Sequence, residues 1–112
     1  MSLCAKNNVS LLLFKTPSFD GNWSVGYDAQ IAAIAKDNGI NYVNFEPMYE
    51  EIGLDYSVHT YDGGSHLNRK GAECFSKFLG DYLVDNYTIT DRRNTQKYDD
   101  FWNNKLESYL NK

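Results

Sequence analysis

"VSLLLFK", residues 9–15, is a nearly continuous apolar run, and it limits the fold more than any other stretch of the chain. A strand with one wet face alternates apolar and polar residues. An unbroken run belongs to a strand buried on both faces, as in a parallel sheet. Thr16-Pro17 ends the run, and "SFDGNWS" reads as a loop. Ser24 is placed to cap a helix that carries Tyr27, Ile31, Ile34 and Ala35 at three-four spacing. Asn38-Gly39 closes that helix with a residue able to take positive φ. "INYVNFE", residues 40–46, is a second strand, stopped by Pro47. Strand, helix and strand with short connections form a parallel crossover unit, so the expected fold class is α/β.

From Met48 to Ser65 the chain is loop-like, with one helical turn at Tyr49 to Ile52. Asn68 then caps a long helix with Ala72, Phe75, Leu79, Tyr82 and Leu83 on one face. "YTITDRRNTQ" is a polar connector to a last amphipathic helix that presents Tyr98, Trp102, Leu106, Tyr109 and Leu110. The expected divisions are a disordered or artificial lead-in at 1–8, the α/β portion at 9–87 and a C-terminal extension at 88–112. Independent sheets usually need three or more strands, and only two are readable here. The sheet is therefore expected to be completed by residues outside this chain or by another copy, which would make the chain a fragment able to self-associate.

At 112 residues the chain supports one domain with a real core, aided by nine tyrosines and six phenylalanines. A net charge of −4 without a basic stripe argues against nucleic acid or an anionic membrane surface as the main partner. No apolar run approaches the ~20 residues of a membrane span. Cys4 and Cys74 lack metal-ligand spacing and read as free thiols. Asp28, Asp37, Glu50 and Glu51 show no ligand spacing either, so neither a metal nor a cofactor is expected.

The candidate chemistry sits in "YDGGSHLNRKGAECFSKFL", residues 61–79. In open α/β sheets, sites form beyond the carboxyl ends of the strands, here Lys15-Thr16-Pro17 and Glu46-Pro47. An imidazole there can take a proton from a hydroxyl and return it to a leaving group. Asp62, four residues before His66, can fix its tautomer, and Gly63-Gly64 lets the backbone turn sharply between them. The plainer reading is a turn followed by an Asn68 helix cap, with His66 merely flanking it. His59 reads as a solvated loop residue without a local partner. Trp23, in the loop leaving the first strand, is the aromatic residue best placed to meet a substrate. Arg92-Arg93 can grip an anion, or pair with Asp91, Asp99 or Asp100.

"DGGSHLNRKGAECFSKFLGDYL" resembles the last sequence block of the SGNH (GDSL-type) hydrolase superfamily. The likeness is to envelope-polysaccharide members, namely alginate acetyltransferase-like proteins and the D-alanine transfer protein of lipoteichoic acid synthesis. His66-Leu67-Asn68 and Gly71-Ala72 carry it, and "LLLFKTP" with "INYVNFE" extends it over most of the chain from about Val9. The resemblance implies the C-terminal portion of a three-layer flavodoxin-like fold. It implies a serine ester hydrolase or acyltransferase acting on acylated cell-envelope carbohydrate outside the cytoplasm. His66 would then be the general base, Asp62 the triad acid, and Thr16, Trp23 and Asn68 substrate-binding residues.

The family's acid usually lies three residues before its histidine, where this chain has Gly63. The double glycine can absorb the extra residue and let Asp62 reach; otherwise the acid is lost, with Asp55 a distant substitute. No Gly-Asp-Ser or Gly-x-Asn-Asp sequence occurs, and Ser10, Ser18 and Ser24 sit in no strand-to-helix nucleophile turn. Without a nucleophile and an oxyanion hole the chain alone should be inactive. The rival expectation is a binding or assembly module that keeps the fold and has lost the chemistry.

Overall fold

Parallel pairing joins two short strands, β1 (Leu12–Lys15) and β2 (Asn41–Asn44), with Leu12 opposite Asn41 and Lys15 opposite Asn44. The computed structural model describes residues 2–19, 21 and 23–111. Helix α1 spans Ser2–Lys6, where the sequence suggested an unstructured lead-in. The crossover is α2 (Val25–Asp37). Its start follows from Ser24, whose Oγ accepts the Tyr27 N–H at 3.2 Å. Its end follows from Gly39 at φ +63°, after which Ile40 N–H turns back to Ala35 C=O at 2.8 Å. The chain is thus an α/β protein.

The apolar run at 9–15 is only partly strand. Val9 is more than half exposed, and the ladder begins at Leu12 because β2 offers its first partner at Asn41. Phe14 remains 41% exposed. β1 has one neighbouring strand among the described residues, where its sequence led one to expect neighbours on both sides.

After β2, Phe45 enters a 3₁₀ turn at Glu46–Met48, followed by α3 (Tyr49–Ile52), α4 (Tyr56–His59) and α5 (Arg69–Asn86). Phe45 is wholly buried, with Phe14, Phe75 and Phe78 ring centroids 5.5 to 6.0 Å away in edge-on contacts. This cluster fastens α5 to the carboxyl ends of the strands. Ala35, Ile52 and Leu54 complete the buried apolar set with Phe75. Cys4 and Cys74 are both free thiols, and the Cys74 thiol donates to Ile52 C=O at 3.0 Å.

The chain divides into two compact units, Met1–Gly80 and Asp81–Lys112, so the break falls inside α5 rather than after residue 87. The second unit contains α6 (Gln96–Leu110), whose Phe101, Trp102, Leu106 and Leu110 are all more than half exposed. Arg93 pairs with Asp91 at 2.6 Å, as one sequence alternative held, and Arg92 lies over the Tyr98 ring at 5.1 Å. No helix among the described residues is long and apolar enough to cross a membrane.

Candidate active site

Residues 60–67 fold back on themselves: Thr60 and Leu67 form an isolated antiparallel bridge, and Tyr61 N–H reaches His66 C=O at 3.3 Å. The turn between them needs positive φ at Gly63 (+76°) and Gly64 (+122°). That turn brings the acid and the imidazole together despite their four-residue spacing. Asp62 Oδ1 accepts the His66 backbone N–H at 2.8 Å, and Asp62 Oδ2 meets His66 Nδ1 in a short contact. Tyr61 stacks almost parallel to the imidazole, at 11° and 5.8 Å between centroids. The imidazole is 69% exposed, so Nε2 is open to whatever approaches.

The His66 side chain, followed by the backbone N–H groups of His66 and Ser65, holds the Asp62 carboxyl below its ordinary value of 3.8. A depressed carboxyl stabilises the fold above its unfolded pKa, and that contribution is lost as pH falls through the folded value. A carboxyl-carbon NMR titration is expected to give an Asp62 midpoint below 3.8. His66→Ala should return it only part-way, because the backbone donors remain. An unchanged midpoint in that variant would show that the imidazole does not hold the carboxylate.

The block is anchored on both sides. Asn68 N–H donates to His59 C=O at 2.9 Å, while its Nδ2 donates to Val58 C=O at 2.7 Å and Thr60 C=O at 3.2 Å. Asn68 Oδ1 accepts Gly71 N–H at 3.1 Å, capping α5 as the sequence indicated. Its side chain is thus engaged in cap and tether, with no described place in a substrate cleft. On the other side, Phe19 N–H donates to Gly64 C=O at 2.8 Å. Phe19 belongs to the segment leaving β1, so the His66 loop lies at the carboxyl edge of the sheet.

A cleft of about 370 Å³ opens at that edge, with Trp23, Asp28, Asn44 and Glu46 in its lining. Trp23, in the loop leaving β1, is one of the residues lining it. Thr16 is exposed and outside the cleft lining, and its C=O accepts Lys15 Nζ at 2.7 Å. Lys15 Nζ also bonds Ser18 Oγ at 2.6 Å, pairs with Glu46 at 3.0 Å and sits 5.6 Å from the Trp23 ring centre. His66 is not part of that lining.

Two residues do more than the sequence suggested. His59 is no free loop residue: its Nδ1 accepts Asp55 N–H at 2.9 Å inside α4. Asp55 in turn caps α4 through Ser57 N–H and Oγ, at 2.9 and 2.6 Å, and is not a substitute acid for His66. The Asp55-Tyr56-Ser57 cap signal was there to be read. Asp28 was also missed. Its Oδ1 accepts Tyr42 OH at 2.7 Å, Asn44 Nδ2 at 3.0 Å and Trp23 Nε1 at 3.4 Å. The readable signal was Tyr42 and Asn44, two polar side chains on one face of a strand and in need of a polar partner.

Among the described residues no group of three His, Cys, Asp or Glu side chains is arranged to hold a metal. No family model, curated protein or solved structure matches the chain.

Proposed function

We propose that this chain is the C-terminal, histidine-bearing portion of an SGNH-type serine ester hydrolase or acyltransferase acting on acylated envelope carbohydrate. One observation carries the reading: His66 is paired with Asp62 through Nδ1 and leaves its Nε2 open at the carboxyl edge of a parallel β-α-β unit. In that arrangement Nε2 takes the proton from a serine hydroxyl and later returns it to the leaving oxygen. Asp62 holds the tautomer and balances the imidazolium. The serine and the oxyanion donors come from outside these 112 residues, since no nucleophile block occurs in them. The flavodoxin-like three-layer sheet would be completed there too, or by a second copy against the half-covered β1. Work at the cell envelope rests on the sequence resemblance alone.

The test uses two proteins. The 112-residue chain alone should hydrolyse p-nitrophenyl acetate no faster than free imidazole does. The full open reading frame that contains it should turn over acetyl esters and be labelled on serine by a fluorophosphonate, with turnover lost in His66→Ala. Saturable, inhibitor-sensitive turnover by the short chain would refute the missing nucleophile. A full product with no reactive serine would favour the non-catalytic module, which the exposed apolar residues of α6 also fit.

A further inference from the structure

The cleft at the strand ends has a donor and acceptor balance of its own, independent of His66. Asp28 Oδ1 is taken by three neutral donors from α2's preceding loop and from β2, whereas Oδ2 receives no hydrogen bond from a described residue. Those bonds, the Tyr42 hydroxyl first, keep the Asp28 carboxyl below its ordinary range, so it is ionised near neutrality. The other carboxylate of the lining, Glu46, already has Lys15 at 3.0 Å. Asp28 forms no ion pair with a described residue; Lys15, 5.6 Å from the Trp23 ring centre, is held by Glu46 instead.

Four aromatic residues share the lining, Phe19, Trp23, Tyr49 and Tyr56, with Ser18, Ser24, Val25, Asn44 and Pro47 between them. The Trp23 indole N–H is committed to Asp28, and the Tyr49 hydroxyl to Glu50 at 3.1 Å. The Tyr56 hydroxyl is shut off from solvent and has no hydrogen-bond partner, an orphan polar atom in a residue that lines the cleft. Such atoms are uncommon in folded chains and call for a partner. The lining therefore offers an unmet negative charge and ring faces with negative π density.

We propose that this cleft is a binding site for a small organic cation, an ammonium-bearing molecule that donates to Asp28 Oδ2 and lies against the aromatic walls. An ammonium group supplies hydrogen-bond donors and charge together, and the ring quadrupoles reward the charge. An uncharged polyol supplies donors alone and leaves the Asp28 charge unmatched. An anion meets that carboxylate with like charge. A volume of about 370 Å³ suits a one-ring ligand, near the lower end of small-molecule sites.

The probes are benzylammonium, its uncharged counterpart benzyl alcohol, and methyl β-glucoside, each titrated into the ¹⁵N-labelled 112-residue chain. The readout is the Trp23 indole N–H resonance, told apart from Trp102 with a Trp102→Phe variant. Benzylammonium should shift it saturably, bind at least about tenfold more tightly than the alcohol, and weaken as salt is raised. Asp28→Asn, which keeps the shape and removes the charge, should cost about tenfold or more with the amide spectrum still dispersed. Should Asp28→Asn fail to fold, the salt series and the comparison with benzyl alcohol decide, because both act on binding while leaving the Asp28 anchor in place. Equal affinity for benzylammonium and the alcohol, a response to the glucoside alone, or no saturable shift in the folded chain would each overturn the assignment.

Discussion

Gly71→Ala is expected to cost about 3 kcal/mol, the upper end of what overpacking costs and a large share of the stability of a unit this size. A Cβ at residue 71 would lie 2.2 Å from His59 C=O and 3.0 Å from His59 Cβ. The first of these atoms is backbone, and it already accepts Asn68 N–H at 2.9 Å, so it cannot retreat without breaking the start of α5. The same movement would pull on α4 and on the Thr60–Leu67 bridge that shapes the His66 loop. Gly80→Ala is the control within the same helix. Nothing lies within 4 Å of its Cβ position, and an alanine there should stabilise by about 0.5–1 kcal/mol. Urea unfolding of both variants checks the pair. A Gly71→Ala midpoint close to that of the parent would mean that α4 and α5 do not pack as closely as described.

Phe45→Ala should cost about 3–5 kcal/mol. The ring is fully buried and is the common neighbour of Phe14, Phe75 and Phe78. Removing it opens a cavity where the strands meet α5. Phe45→Leu keeps much of the volume and should cost distinctly less. Because the neighbouring Glu46 lines the cleft, the alanine variant should also disturb the Trp23 indole resonance, while the leucine variant should leave it nearly in place. Equal stability for the two would sink the idea that this ring organises the core.

Local chemistry was legible in the sequence wherever it was self-contained. Ser24 and Asn68 cap the helices assigned to them, and Gly39 turns the chain where Asn38-Gly39 predicted. The meeting of Asp62 and His66 was readable as well, because both partners and the two glycines lie within five residues. Features set by distant partners were not. The length of β1 depends on where β2 begins, which an apolar run does not encode. Asp28 showed only a lack of ligand spacing in the sequence, and it is the crossover that sets it against Tyr42 and Asn44. His59 lacked a visible role because α4 is a single turn, shorter than any periodicity can reveal.

The bond from Phe19 to Gly64 has a mechanical consequence. Phe19 stacks on Tyr56 in the cleft wall at 5.3 Å, and its N–H also holds the loop that carries the imidazole. A Cβ on Gly64 would come within 2.9 Å of Phe19 Cβ, so the two loops touch with no slack between them. A shift of the Phe19 backbone would carry the His66 loop with it through this bond. Such coupling is reciprocal by thermodynamic necessity. The cleft wall and the loop that carries His66 thus share one anchor point, at a glycine.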